Sequence, residues 1–211
     1  MTTASGTPIA DRAMKVGASP TVLDAIYGRR SIRNFTTTPV DAATIRLLLD
    51  AAVHAPTAMH EEPCVFAIVQ SRDTLRRLSD RAKQMMIEAA RHEEPPQAAA
   101  TPSTLLEHLA NPDFNIFYNA GTLVVIGARA RGQFVAADCW LAAENLMLAA
   151  YSVGLGSCCI GFALSVLNTA DAKQQLAIPD DVTVVAAIIV GEPAELVPPV
   201  PRKAPEIVSW S

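Results

Sequence analysis

Residues 134–161 read FVAADCWLAAENLMLAAYSVGLGSCCIG. From Phe134 to Ser152 the composition is that of a helix, rich in Ala and Leu and free of Gly and Pro. It is apolar nearly all round. Its few polar residues, among them Asp138, Glu144 and Asn145, cannot cover a solvent face, which places the helix at the centre of the molecule or in a subunit interface. The charges within it, and the glycines at 154 and 156, also break any run of about 20 apolar residues that could span a bilayer. Gly154 reads as a helix C-cap, and Gly156 to Phe162 as a strand. The order is helix, glycine turn, strand, with no Gly-Lys-Ser/Thr. This excludes a Walker loop and a dinucleotide fingerprint. Two uses of the glycines stay open: a cap plus a strand start, or a backbone that approaches a flat ligand with its amides free to donate.

Working outward, Val182–Val190 (VTVVAAIIV), Thr122–Ala128 (TLVVIGA) and Cys64–Val69 (CVFAIV) are apolar runs of strand length. Between them lie helices. Thr21–Tyr27 is a short amphipathic stretch that ends at Gly28. After Pro39, Asp41 is the N-cap of a helix with the stripe Ile45, Leu48, Leu49, Ala52, Val53, stopped by Pro56. Arg72–Arg91 is an exposed, charged helix, and Ala170–Leu176 is a short one stopped by Pro179. Residues 93–104 (EEPPQAAATPST) read as a Pro-rich loop, residues 1–20 as a loose arm, and 198–211, with Pro198, Pro199, Pro201 and Pro205, as an extended tail. No repeat or internal linker marks a second domain. The expectation is one α+β domain over 21–197, a mixed, mainly antiparallel sheet flanked by helices around the long central one.

Composition narrows the classes. Of 211 residues, 50% are hydrophobic, and 17 basic residues face 21 acidic ones for a net charge of −4. A disordered polyelectrolyte, a collagen-like chain and a dedicated nucleic-acid binder are excluded on those figures. With no signal-type N-terminus and no spanning helix, a soluble, cytoplasmic protein is expected. Cys64, Cys139, Cys158 and Cys159 form no C-x-x-C pair and no disulfide framework, so they read as reduced, buried thiols. The adjacent Cys158 and Cys159 are the candidates for redox chemistry.

Four pieces can carry chemistry. Arg29, Arg30, Ser31 and Arg33 place three guanidiniums and a hydroxyl within five residues, suited to a phosphate. The loop 55–64 (APTAMHEEPC) joins a helix to a strand. With His54 just before it, its His60, Glu61, Glu62 and Cys64 are candidate metal ligands, but the spacing fits no zinc pattern, and no metal is expected. His60 has no Ser or Cys partner near it in sequence, so no nucleophilic triad is formed. The third piece is the glycine turn at 154–161, and the fourth the surface pair Arg202-Lys203.

In this order and spacing the pieces resemble the FMN-dependent nitroreductase family over roughly residues 21–209. YGRRSIRNF (27–35) is similar to the family's Arg-Arg-Ser-x-Arg-x-Phe opening. APTAMHEEPCVFAIV stands where the family shows Ala-Pro-Ser-x-x-Asn-x-Gln-Pro-Trp-x-Phe. AAENLMLAAYSVGLGSCCIG and IPDDVTVVAAIIVGEPAE resemble its central helix, glycine turn and last core strand. The resemblance implies a domain-wrapped homodimer with FMN at the subunit interface, the tail crossing to the partner, and NAD(P)H as reductant. It implies that Arg29, Arg30 and Ser31 serve the phosphate and ribityl end and Arg33 the flavin pyrimidine edge. Thr57, Ala58 and His60 belong to a loop reaching the partner's flavin. Cys159, Ile160 and Gly161 lie beside the flavin ring, and Arg202, with Lys203 as its competitor, meets the phosphate. His60, Glu62 and Cys64 replace the usual Asn, Gln and Trp.

The implied activity is ping-pong reduction of a small aromatic acceptor, nitroaromatic or quinone. The flavin carries the chemistry and no side chain acts as a catalytic acid or nucleophile. The same fold also allows reductive dehalogenation, flavin fragmentation or non-catalytic flavin binding. A metal-dependent hydrolase using His54, His60 and Glu61 is the reading from a different class.

Overall fold

The computed structural model describes residues 20–92, 103–129 and 132–211. The N-terminal arm up to residue 19, and the Pro-rich stretch as far as 102, lie outside the described residues. Seven helices and four strands follow in chain order among the described residues: α1 (Val22–Gly28), α2 (Ala42–Val53), β1 (Cys64–Val69), α3 (Arg72–His92), α4 (Ser103–Ala110), β2 (Thr122–Ala128), α5 (Val135–Ser152), β3 (Gly156–Cys159), α6 (Leu164–Leu167), α7 (Ala170–Gln175) and β4 (Thr183–Gly191). The strands form one sheet in the order β1-β2-β4-β3, every neighbouring pair antiparallel. A single parallel bridge, Ser31 to Ser157, lays the segment after α1 along the outer edge of β3. This agrees with the expected mixed, mainly antiparallel sheet.

Helices cover both faces of the sheet. Side chains alternate along a strand, so β2 feeds two cores at once. Leu123 and Val125 join Leu75, Leu78, Ala82, Phe117, Ala187 and Ile189 on the α3 face. Val124, Ile126 and Ala128 join Leu48, Ala52, Ala142, Leu146, Ile188 and Val190 under α2 and α5. A bulge between Ile126 and Gly127 inserts Val185 into β4, and the alternation changes phase there. Val184 consequently packs with Ala187 and Ile189 instead of with Ala186. Gly127 is required at this point: a Cβ there would stand 2.7 Å from the Thr183 carbonyl oxygen.

Caps behave as the sequence indicates. Asp41 accepts from the Ala43 and Thr44 amides and, at 2.6 Å, from the Thr44 hydroxyl. Thr21 and Asp24 form a reciprocal capping box on α1. At the end of α5, Gly154 takes φ +82°, its N–H donates to the Tyr151 carbonyl, and the Leu155 N–H donates to that of Ala150 at 2.8 Å. This pairing is a Schellman motif, and only glycine enters it without backbone strain. β3 is shorter than the reading to Phe162, because the chain turns into a 3-10 helix at Gly161–Ala163. Helices α4 and α6 were not expected. No helix among the described residues is long and apolar enough to cross a membrane.

Candidate functional site

The segment 29–35 is held from both sides. The Ile32 N–H donates to the Ser157 carbonyl at 3.0 Å, the Thr36 N–H to that of Glu192, and the Ala194 N–H to that of Asn34. Ile32 and Phe35 are buried in the α3-side core, while Ser31 and Arg33 point outward and are exposed. Gly28 allows this run to start where it does. A Cβ at that position would collide with the Tyr151 hydroxyl, so glycine lets the end of α1 close on α5.

The three arginines are put to different uses. The Arg29 Nε donates to Glu144 Oε1 in the middle of α5 at 3.1 Å. Arg30 turns back on its own helix: Nη1 donates to the Tyr27, Gly28 and Arg29 carbonyls at 2.7, 3.0 and 2.8 Å. It thereby caps the C-terminal end of α1 with a cation. Its Nε is buried with no partner. The Arg33 guanidinium lies 5.9 Å from the centre of the Tyr118 ring, a cation–π distance. Tyr118 continues an aromatic row, 5.7 Å from Phe114, which is itself 4.2 Å from His108. The loop bearing that row is pinned to α3. The buried Lys83 donates to the Asn111 and Phe114 carbonyls, and the Ile116 N–H donates to Ser79 Oγ.

These groups meet at the end of β3. Burial pushes the Cys158 thiol up, and Arg33, Ser31 and Arg29 pull against that. Burial, then the neighbouring Cys158, raise the Cys159 thiol, while Arg29 opposes them. The Ser31–Ser157 bridge sets Arg29, Ser31 and Arg33 along the β3 edge that leads into Cys158 and Cys159. The two cysteines face opposite ways, as strand neighbours must: Cys158 is buried and Cys159 exposed. Ile160 is buried, and the position a Gly161 Cβ would occupy has nothing within 4 Å. The backbone is open at Gly161, whereas the Ile160 N–H is committed to the Ala187 carbonyl at 2.8 Å.

The other expected residues lie elsewhere. Thr57, Ala58 and His60 form a loop whose Met59, His60 and Glu62 adopt left-handed φ of 56°, 56° and 45°. The Ala58 N–H donates to the buried Asp138 at 3.2 Å, which ties this loop to the first turn of α5. Asp138 and Glu144 are six residues apart, about 9 Å along the helix. Arg202 and Lys203 lie on an exposed, extended tail, with no hydrogen bond or ion pair among the described residues. His54 Nδ1 lies 2.7 Å from the Asp50 carbonyl at the end of α2. Among the described residues, no group of three or more His, Cys, Asp and Glu side chains comes together to hold a metal.

Two partners of the site were not singled out from the sequence. Glu144 had a signal, being one of the few charges on an apolar helix. Tyr118 came only within the segment 81–118, expected to cap the pocket, where nothing separated it from its aromatic neighbours Phe114 and Phe117. A cavity of about 830 Å³ opens at the other end of β3, between Tyr27, Tyr151, Gly156 and Glu192–Pro199. It shares Arg29 and Arg30 with the candidate site but not Ser31, Arg33 or residues 159–161, so the donor cluster locates the site better than cavity size does.

The sequence pattern of the nitroreductase family matches residues 26–192. A protein of Methanothermobacter thermautotrophicus with the provisional name NADH dehydrogenase/NAD(P)H nitroreductase is 28% identical over 174 residues, covering 82% of this chain and 78% of its own. A crystal structure of a nitroreductase with bound FMN from Bacteroides fragilis superposes with a TM-score of 0.76 at 25% identity, covering 91% of this chain and all of that one. An FMN-dependent nitroreductase from Clostridium difficile gives a TM-score of 0.72 at 23% identity, covering 90% of this chain and 98% of its own. With a four-stranded antiparallel sheet, helices on both faces and an arginine-lined edge at β3, the chain belongs to the nitroreductase family.

Proposed function

We propose that this protein is an FMN-dependent oxidoreductase that uses NAD(P)H to reduce a small aromatic acceptor such as a nitroaromatic or a quinone. The observation that carries the reading is the bridge from Ser31 to Ser157, which lays the Arg29–Arg33 segment along the edge of the strand that ends in Cys159, next to the open position at Gly161, in a chain of this family. The donor set suits an anionic, flat cofactor. Guanidinium forks match phosphate oxygens, and a hydroxyl adds a short hydrogen bond.

In this reading Arg29 and Ser31 hold the phosphate and ribityl end. Arg30 supports them electrostatically from the end of α1, its buried Nε free to donate. Arg33 keeps a fixed positive charge beside the ring, where negative charge develops during reduction. FMN held by these residues would supply the hydride-transfer chemistry that links NAD(P)H to the acceptor. The row Tyr118, Phe114, His108 offers an aromatic wall next to Arg33 for an aromatic acceptor.

A second copy of the chain completes the site. Val22, Leu23, Ile26 and Tyr27 on α1 and Trp140 and Leu141 on α5 are exposed apolar side chains. The tail from 198 onward exposes Val200, Ile207, Val208 and Trp210. A tail of this kind reaches the partner and brings Arg202, or Lys203, to its phosphate. The Thr57–His60 loop, held away from its own arginine cluster by Asp138, serves the partner's flavin. The domain itself is 21–197.

A visible spectrum of the purified protein before and after anaerobic NADPH tests the reading. Flavin bands that bleach are expected. A colourless protein that also refuses added FMN would overturn it, and bands that survive NADPH would reduce it to flavin binding.

A further inference from the structure

Cys64 and Cys139 are 75 residues apart in sequence, yet their Sγ atoms stand 3.8 Å apart. Cys64 opens β1 and is half-buried, and Cys139 in the first half of α5 is fully buried. The remaining two thiols point apart, and Cys159 Sγ lies against Met147 Sδ at 3.5 Å. The close pair occupies a mechanical joint. Cys64 follows the loop that holds the left-handed Met59, His60 and Glu62, and Asp138, next to Cys139, accepts the Ala58 N–H from that same loop. We propose that Cys64 and Cys139 are a reversible dithiol–disulfide pair, a modification site for low-molecular-weight disulfides at the foot of the Thr57–Glu62 loop.

The roles of the two sulfurs follow from exposure and charge. Cys64 has solvent access, and the Cys139 contact holds its thiol below the ordinary value. The same contact, followed by burial, keeps Cys139 protonated. Cys64 is therefore the attacking thiolate and Cys139 the resolving thiol. The Cys64 thiolate displaces one thiolate from an external disulfide RSSR and forms a Cys64–SR mixed disulfide. Cys139 gives up its proton and attacks the Cys64 sulfur, expelling the second RS⁻. The two protein thiols lose two electrons and two protons, and RSSR becomes two RSH. Closing the gap from 3.8 Å to the bonded distance of about 2.05 Å takes a sulfur displacement of about 2 Å.

The test uses the full-length protein, reduced, desalted and exposed to glutathione disulfide at neutral pH. Remaining thiols are alkylated in denaturant and the digest is read by mass spectrometry. The expected result is loss of two of the four thiols, one linked peptide pair containing Cys64 and Cys139, and full recovery with dithiothreitol. Cys139→Ser should stop at a single glutathione adduct on Cys64. Four intact thiols, or an adduct confined to Cys159 with Cys64 and Cys139 free, would overturn the proposal. The wild-type linkage decides it even where the variant fails to fold, and flavin occupancy does not enter the readout.

Discussion

At the scale of single residues, Glu144 is the group that competes with the proposed anion for Arg29. Its carboxylate occupies Arg29 Nε at 3.1 Å, with the two side chains 24% and 45% exposed. In the proposed site an incoming phosphate would compete for that guanidinium. Replacing Arg29 by Ala should cost FMN about 1.5–3 kcal/mol, the range for a charged hydrogen bond, which is a roughly 10- to 150-fold rise in Kd. Glu144→Gln should act the other way, tightening FMN by up to about 1 kcal/mol, the worth of a partly exposed pair. Fluorescence titration of both variants checks the pair, and equal affinities in Arg29→Ala and wild type would remove Arg29 from the site. Asp41 makes a second prediction. The Thr44 hydroxyl, then the Thr44 amide, hold its carboxyl below the usual value. A lowered folded value means its contribution is present above about pH 4 and is lost as the pH falls through the folded value. Asp41→Ala should therefore lower the Tm at pH 7, and the gap should close below about pH 4 in melts across a pH series.

At the scale of elements, Gly154 carries the reversal from α5 into β3. A Cβ there meets no atom within 4 Å, so the cost of Gly154→Ala is purely that of the backbone at φ +82°. That cost is about 1–2 kcal/mol. Urea unfolding should show a lower midpoint at unchanged m, with Gly154→Asn less affected because Asn tolerates the left-handed region better. This turn was legible in the sequence, as were β2 and β4. Each announced itself within a few consecutive residues, by a glycine at a helix end or by an unbroken apolar run. Helix α4 was not, because eight residues are too few to be helical on propensity alone, and packing against α3 supplies the rest. The candidate site divides the same way. Arg29 to Arg33 are contiguous and stood out. Glu144 lies 115 residues from its partner, and no local pattern joins them. Arg30 belonged to the legible cluster, yet the end of α1 claims its Nη1. The adjacent Cys158 and Cys159 drew attention by proximity in the chain, whereas strand alternation separates them and the fold brings Cys64 and Cys139 together instead.

At the scale of the whole molecule, α5 reconciles two demands. Ala142, Ala143, Leu146 and Ala150 are buried against the sheet and α2, while Trp140 and Leu141 face outward. One chain leaves that outer face and the apolar tail uncovered, and the proposed dimer would cover both. Deleting residues 198–211 should therefore shift the protein from dimer towards monomer in light scattering. FMN affinity should fall with it, since Arg202 and Lys203 leave with the tail. A deletion variant that stays dimeric and loaded with FMN would place the tail outside the interface.

The positions of the two tryptophans give the molecule a built-in reporter. Trp140 is 42% exposed on the outer side of α5 and Trp210 is 88% exposed near the chain end, and the sequence holds no third. Both indoles keep solvent access in the single chain, so in the proposed dimer ultraviolet emission would report association. On dilution through the dimer dissociation range the emission maximum should move to longer wavelength while the far-ultraviolet circular dichroism holds still, two optical signals that separate assembly from folding in one unlabelled sample.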